Sequence, residues 1–338
     1  MKKLLTLFLI ITVSMSVFAG DPARKGTAGA EQLLIPVGAR SIATGQAFIS
    51  HFSGIESIYY NPAGLDRAGG TEAMFNYMSY IADIDLSYFA VSTQLDIGSV
   101  GLSYKTLNFG DIPVTTVENP DGTGQLYSPD YFVLGLTYSK MITDRVSAGV
   151  NFNFIHEGIM NTSANGFAID FGVQYRFTPN FSLGASVKNI GTNMNYSGED
   201  LKTKTTVPGS ALGSGNTVYQ LDTEEFSIPS YFELSLAYTN EFNESNSLSF
   251  GGVFRNNNNL EDAARVGMEY NFNDNFFLRG GYDFALENQD QQIFGFTAGA
   301  GISYDFAKDM GLEFDYAFRD VKEFSAANHI FTLVLRVY

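Results

Sequence analysis

The chain has 338 residues, with 36 acidic against 20 basic side chains, a net charge of −16 and no cysteine. So acidic a surface excludes nucleic acid as a partner, because phosphate contacts draw on Lys and Arg. The lack of Cys excludes disulfides and thiolate metal sites.

The N-terminus reads as an export signal. Lys2 and Lys3 form a positive start, Leu4 to Val17 is an apolar run, and Val17-Phe18-Ala19 offers a cleavage site before Gly20. No later stretch is apolar for the ~18 residues a spanning helix requires. The 30 Phe, 19 Tyr and 34 Gly against 9 Pro suit a closed antiparallel barrel instead, with aromatics at the membrane interfaces. The chain therefore divides into a signal peptide over 1–19, an N-terminal unit over 20–70 and a strand-rich remainder over 71–338.

The unit over 20–70 lacks period-2 alternation and is punctuated by Gly26, Gly29, Gly38, Gly45, Gly54, Gly64, Gly69 and Gly70. It is too small and polar for a lipid-facing strand and too apolar for a free tail, so it is expected to fold as a hatch inside the barrel. From Thr71 onward the sequence predicts about fourteen strands, most with one apolar alternate face. The second runs over Asp85 to Leu95, the fourth over Tyr131 to Met141 and the last over His329 to Tyr338. Tight turns follow the even-numbered strands, whereas 110–129 and 191–228 are long loops and a shorter one ends at Asn165. Such lengths and alternating connections predict an all-β transmembrane barrel in an outer membrane, with apolar faces on lipid and polar faces inward.

Inward alternates carry charge of both signs: Asp170 and Arg176, Glu233, Arg265 and Glu269, Arg279 and Asp283, Glu313, Asp315 and Arg319. These residues predict a polar network bracing the lumen. Tyr338 is a terminal aromatic suited to recognition by a barrel-assembly machine. Arg336 falls on its face, together with Ile330, Thr332 and Val334. That leaves either a register shift near the end or an arginine reaching out to the interface. The apolar content of the long loops, including Val114, Val117, Tyr196, Val207 and Tyr219, marks them as places to meet a partner. No nucleophile elbow, phosphate loop or metal-ligand spacing is present, and His51, His156 and His329 are far apart, so neither an enzyme nor a cofactor is expected.

One motif stands out. Gly38-Ala39-Arg40, then Gly45, Ala47 and Phe48, then Tyr60-Asn61-Pro62-Ala63-Gly64-Leu65, resembles the opening of the PorV/PorQ family of FadL-like outer-membrane proteins. The resemblance implies a fourteen-stranded barrel with a hatch, in the outer membrane of a Gram-negative-type bacterium. It also implies two roles: type IX-like protein secretion or surface attachment, with secretion subunits or exported cargo as partners; or, alternatively, passive uptake of a hydrophobic small molecule. Asn61-Pro62-Ala63 is the best-defined candidate site, read either as a turn that locks the plug or as part of a gate.

Overall fold

The structure is a computed structural model that describes residues 26–206, 209, 211, 215–243, 245–288, 292–322 and 326–338. The expected signal peptide and Val207 lie outside the described residues. Fourteen long antiparallel strands close on themselves. They are β1 (Thr71–Ser79), β2 (Asp85–Leu95), β3 (Gly98–Asn108), β4 (Asp130–Met141), β5 (Val146–Ile159), β6 (Thr162–Thr178) and β7 (Phe181–Gly191), followed by β8 (Tyr231–Asn243), β9 (Asn246–Asn257), β10 (Ala263–Phe272), β11 (Phe276–Ala285), β12 (Phe294–Ala307), β13 (Met310–Val321) and β14 (Asn328–Val337). Each pairs with its sequence neighbour, and β1 pairs with β14 from Thr71–Val337 to Ser79–His329, so no edge strand is left in the barrel.

The alternation places apolar side chains outside. Phe89, Leu102, Leu136, Phe167, Leu278 and Phe314 are exposed, whereas Asp170, Glu233, Arg279 and Glu313 are buried on the inward faces. This inverts a water-soluble protein and is what a lipid-facing barrel requires. Short turns follow β2, β4, β6, β8, β10 and β12, at the end where both Thr71 and Val337 lie.

Two expectations need correction. No loop separates the fifth and sixth strands: β5 and β6 form a continuous hairpin from Ile159–Thr162 inward, turned by Met160 at φ 54°. Nor does the register shift at the C-terminus. β14 pairs without interruption on both sides, so Arg336 points into the lumen and does not reach the lipid interface.

The N-terminal segment has little regular structure: helical turns at Glu31–Leu34, Ala39–Ala43, Ser57–Tyr60 and Pro62–Arg67. Yet it is the most buried part of the chain, with Val37, Ala39, Ile42, Ala43, Ala47 and Ile49 fully shielded. It lies against a belt of inward-facing glycines on the wall. A Cβ at Gly149 would sit 2.4 Å from the Pro62 backbone, at Gly184 2.6 Å from Ser50 Cα, and at Gly251 2.5 Å from Ala47 O. At Gly267 it would sit 2.0 Å from Thr44 O, and at Gly281 2.2 Å from Gly45 N. Real Cβ atoms do not approach so closely, so the segment occupies space that side chains would fill in an empty barrel.

Gly267→Val should therefore displace the segment without unfolding the barrel. The expected result is a heat-modifiable folded band on electrophoresis, with the 28–67 region newly open to protease. Gly252→Val is the control, because the atom nearest its added Cβ is at 3.8 Å. Equal protease resistance in both variants would contradict the close fit.

Candidate functional site

A segment without regular structure leaves many backbone groups needing partners. Wall side chains supply them. Asn76 Oδ1 accepts from Gly38 N at 3.0 Å, and Thr332 Oγ1 accepts from Ala39 N at 2.8 Å. Gln174 Nε2 donates to Ile49 O and Phe52 O at 3.0 and 2.9 Å. Lys105 Nζ donates to Ile35 O at 3.0 Å, and Lys188 Nζ donates to Tyr59 O at 2.5 Å. Glu72 accepts from Ile55 N at 2.6 Å, and Asp66, on the segment itself, accepts from Met141 N at 2.7 Å.

The Asn61-Pro62-Ala63 motif has a defined local job. Asn61 is extended, and its Oδ1 accepts from Ala63 N at 3.2 Å, capping the turn that begins at Pro62. Pro suits that first position because its missing N–H has no partner to lose there. Asn61 Nδ2 then donates to Val173 O at 3.2 Å and Ala185 O at 3.4 Å on the wall. Gly64 fits because a Cβ there would meet Phe52 O at 2.2 Å. Gly38 and Gly45 adopt φ of 85° and 63°, a region that disfavours other residues.

The charged residues separate into three groups. On β10, β11 and β13, Arg279 contacts Glu269 at 2.6 Å, Glu313 at 3.7 Å and Asp315. Arg40 of the N-terminal segment joins this group through a two-toothed pair with Glu269 at 3.0 and 2.9 Å. Arg336 extends the group to Glu313 and, at 3.1 Å, to Glu72. In the second group Glu233 holds Arg255 at 2.6 Å and Arg265 at 3.2 Å, and Arg265 also holds Asp283 at 3.0 Å. Several of these partners sit directly opposite one another across the ladder: Glu233–Arg255, Arg265–Asp283, Glu269–Arg279 and Glu72–Arg336.

In the third group Asp170 pairs with Lys188 at 2.8 Å, accepts from Asn151 and Asn153, and accepts from the backbone of Asn189 at 2.7 Å where the β6–β7 register shifts. Its partner is thus Lys188, and Arg176 joins none of these pairs. Tyr338 lies just beyond β14 at the turn end, donating its N–H to Asp309 O. Lys105, Lys188 and Arg255 were not singled out from sequence, and Arg336 was assigned to the wrong face. The first three keep the inward phase of their strands, which was the signal available.

Within the segment, burial raises the Glu56 carboxyl above its usual range; it accepts from Ser41 N at 3.1 Å. Burial, followed by the nearby Arg40 cation, pushes His51 down to about 4.

Three cavities bear on function. A vestibule of about 810 Å³ opens at the loop end, lined by Gln32, Tyr80, Phe109, Tyr131, Phe294 and Arg319 among others, with residues 28–36 as its floor. A polar pocket of only about 30 Å³ lies deeper, between Tyr59, Lys105, Asp170 and Lys188. On the lipid side, an apolar groove of about 630 Å³ crosses β2 to β6. Ser103 and Asn153 line both the groove and the deep pocket, so one strand thickness divides them, and the ladder between β3 and β4 is continuous there. Among the described residues, no group of His, Asp or Glu is placed to hold a metal.

No protein-family model and no curated protein matches the sequence. Solved structures do match its fold. The chain is similar to the CymD monoaromatic hydrocarbon channel (13% identity, 90% of this chain and 98% of that one, TM-score 0.58). It is similar to the toluene transporter TodX of P. putida (16% identity, 90% and 99%, TM-score 0.56) and to a Pseudomonas aeruginosa FadL homologue (14% identity, 90% and 98%, TM-score 0.54). The chain has the fold of these barrels over nearly their whole length.

Two outcomes are expected. Lys188→Met leaves Asp170 buried without its cation and should lower the stability of the folded barrel by about 3 kcal/mol or more, read from heat- or urea-dependent loss of the folded band. An unchanged transition would show that the asparagines suffice. For His51, the folded value near 4 lies below the ordinary 6.5, so the released segment takes up a proton first as pH falls. Its contribution is present above pH 6.5 and lost toward pH 4. Protection of the segment in hydrogen exchange should fall across that window, and less so in His51→Asn. Identical profiles would contradict this role.

Proposed function

We propose that the chain is an outer-membrane channel for passive uptake of small molecules with apolar bodies, and that its N-terminal segment is the plug that must shift for passage. The observation that carries this reading is the loop-side vestibule of about 810 Å³. Its volume suits a small ligand. Aromatic and aliphatic side chains line it together with charged ones of both signs, among them Glu31, Glu157, Asp283 and Arg319, and its floor is the N-terminal segment and not a strand wall. The shared fold with the CymD monoaromatic hydrocarbon channel and with the toluene transporter TodX supports the same direction. An export signal over 1–19 and the terminal Tyr338 would bring the chain to the outer membrane through a barrel-assembly machine.

A second reading, docking of a secretion subunit or exported protein, draws on one observation. The loop between β7 and β8 carries a hairpin of Lys202–Thr205 with Thr217–Gln220 whose residues are all exposed, including Val218 and Tyr219, with Leu221 exposed just beyond. Exposed apolar side chains on such a hairpin suit a protein partner. Stoichiometric recovery of secretion subunits with the tagged barrel would favour this reading.

Uptake is tested in cells with a lipopolysaccharide outer membrane, supplied with dilute radiolabelled 3-phenylpropan-1-ol. Expression of the chain should speed uptake. The pair Ala39→Cys with Thr332→Cys, at the 2.8 Å contact, should slow it when oxidised and restore it when reduced. Uptake equal to that of cells lacking the chain would overturn the proposal.

A further inference from the structure

We infer that Arg67, Arg145 and Arg176 form a binding site, at the turn end of the barrel, for the phosphate headgroup of an anionic phospholipid. The inference concerns the membrane around the barrel and stands apart from the channel reading.

Among the described residues, Arg40, Arg255, Arg265, Arg279 and Arg336 are ion-paired inside the barrel, whereas Arg67, Arg145 and Arg176 form no ion pair. These three meet around one carbonyl. Arg145 O, in the turn between β4 and β5, accepts from Arg67 Nη2 at 3.2 Å and from Arg176 N at 2.9 Å. Arg67 is held further by its Nε, which donates to Ser147 Oγ at 2.8 Å. Burial, followed by the Arg176 cation, pushes Arg67 down to about 10, as expected of neighbouring cations that lack a counter-ion.

A chain of net charge −16 gathers cations at one rim against the trend of its composition. Two carboxylates lie near in sequence. Asp66 is taken up by Ser99 Oγ at 2.6 Å and Met141 N at 2.7 Å, and Asp144 pairs with none of the arginines. Lys140, exposed on the lipid phase of β4, adds a fourth cation to the same sector.

The height of this rim in the membrane points to the ligand. Beside Arg176 the outer face carries Tyr175, Phe177 and Phe181, with ring centroids 4.6 and 5.3 Å apart in turn. Ile142 is exposed in the turn that holds Arg145. Aromatic bands of this kind mark the level where acyl chains give way to headgroups. The arginines begin where the band ends. A phosphate with net negative charge supplies the acceptor oxygens that their guanidinium forks lack, while the rings and Ile142 receive the acyl chains. Because Arg67 belongs to the N-terminal segment, a headgroup bound here touches both rim and plug.

The test is native mass spectrometry of the full chain in neutral detergent, titrated with phosphatidylglycerol or phosphatidylcholine of identical acyl chains. The wild type should bind the first phosphatidylglycerol about tenfold more tightly than phosphatidylcholine. Arg145→Gln and Arg176→Gln should each weaken phosphatidylglycerol by about fivefold, the size expected for one basic side chain near a charged surface, and leave phosphatidylcholine unchanged. Lys308→Gln, exposed in another turn at the same end, should keep the wild-type preference. The wild-type comparison stands even if a variant fails to fold. Equal affinity for the two lipids in the wild type, or a preference that survives in the double variant Arg145→Gln with Arg176→Gln, overturns the site. Soluble glycerol 3-phosphate bound as tightly as the lipid overturns the assignment to the membrane.

Discussion

The structure depends on one constraint: a stretch of irregular backbone is enclosed by a barrel, and the backbone groups that its own turns leave open must find partners on the wall. Regular helices and sheets satisfy their own backbone, but residues 28–67 contain only isolated turns. Their N–H and carbonyl groups are met by Asn76, Thr332, Gln174, Lys105, Lys188 and Glu72, drawn from strands around the ring. Where no side chain is needed the wall carries glycine, and the two backbones meet directly. The sequence of the wall is thus written by what it encloses.

The same constraint organises the charges. Burying ions is tolerable only when they are paired and hydrogen-bonded. Ladder register brings Glu269 to Arg279 and Glu233 to Arg255, and Arg40 carries the N-terminal segment into the first of these pairs. A two-toothed ion pair, backbone bonds and close packing then hold the segment together. Release of such a segment is a collective event, because losing one contact leaves its partner buried and unpaired. The polar interior and the apolar exterior are separate surfaces, joined most closely where Ser103 and Asn153 divide the deep pocket from the lipid-side groove.

Much of the fold was legible because alternation reports which face a residue takes. β2 spans the residues read from sequence, and the tight turns follow the even-numbered strands as expected. The β5–β6 hairpin was obscured because Thr162, Ser163 and Asn165 look like loop, whereas Met160 accepts the positive φ that lets the strands continue. Arg336 was misread because one strand alone does not show that its neighbours across the ladder are Glu72 and, on the other side, the strand that carries Glu313. Pairing depends on register, which alternation does not encode; Asp170 finds Lys188 for the same reason. The Asn-Pro-Ala motif was visible, but its contacts with Val173 and Ala185 needed the closed barrel. The resemblance in the opening motif pointed to secretion and uptake together, and the vestibule is the feature on which the proposed uptake rests.

On the proposed function, residues 28–67 close the lumen. The most direct measurement is single-channel conductance in planar lipid bilayers, comparing the whole chain with a variant lacking 28–67, each first shown to be folded by heat-modifiable mobility. The whole chain should be closed to small ions and the shortened barrel an open pore. A folded shortened barrel as impermeable as the whole chain would contradict it, as would a whole chain that conducts like the shortened one.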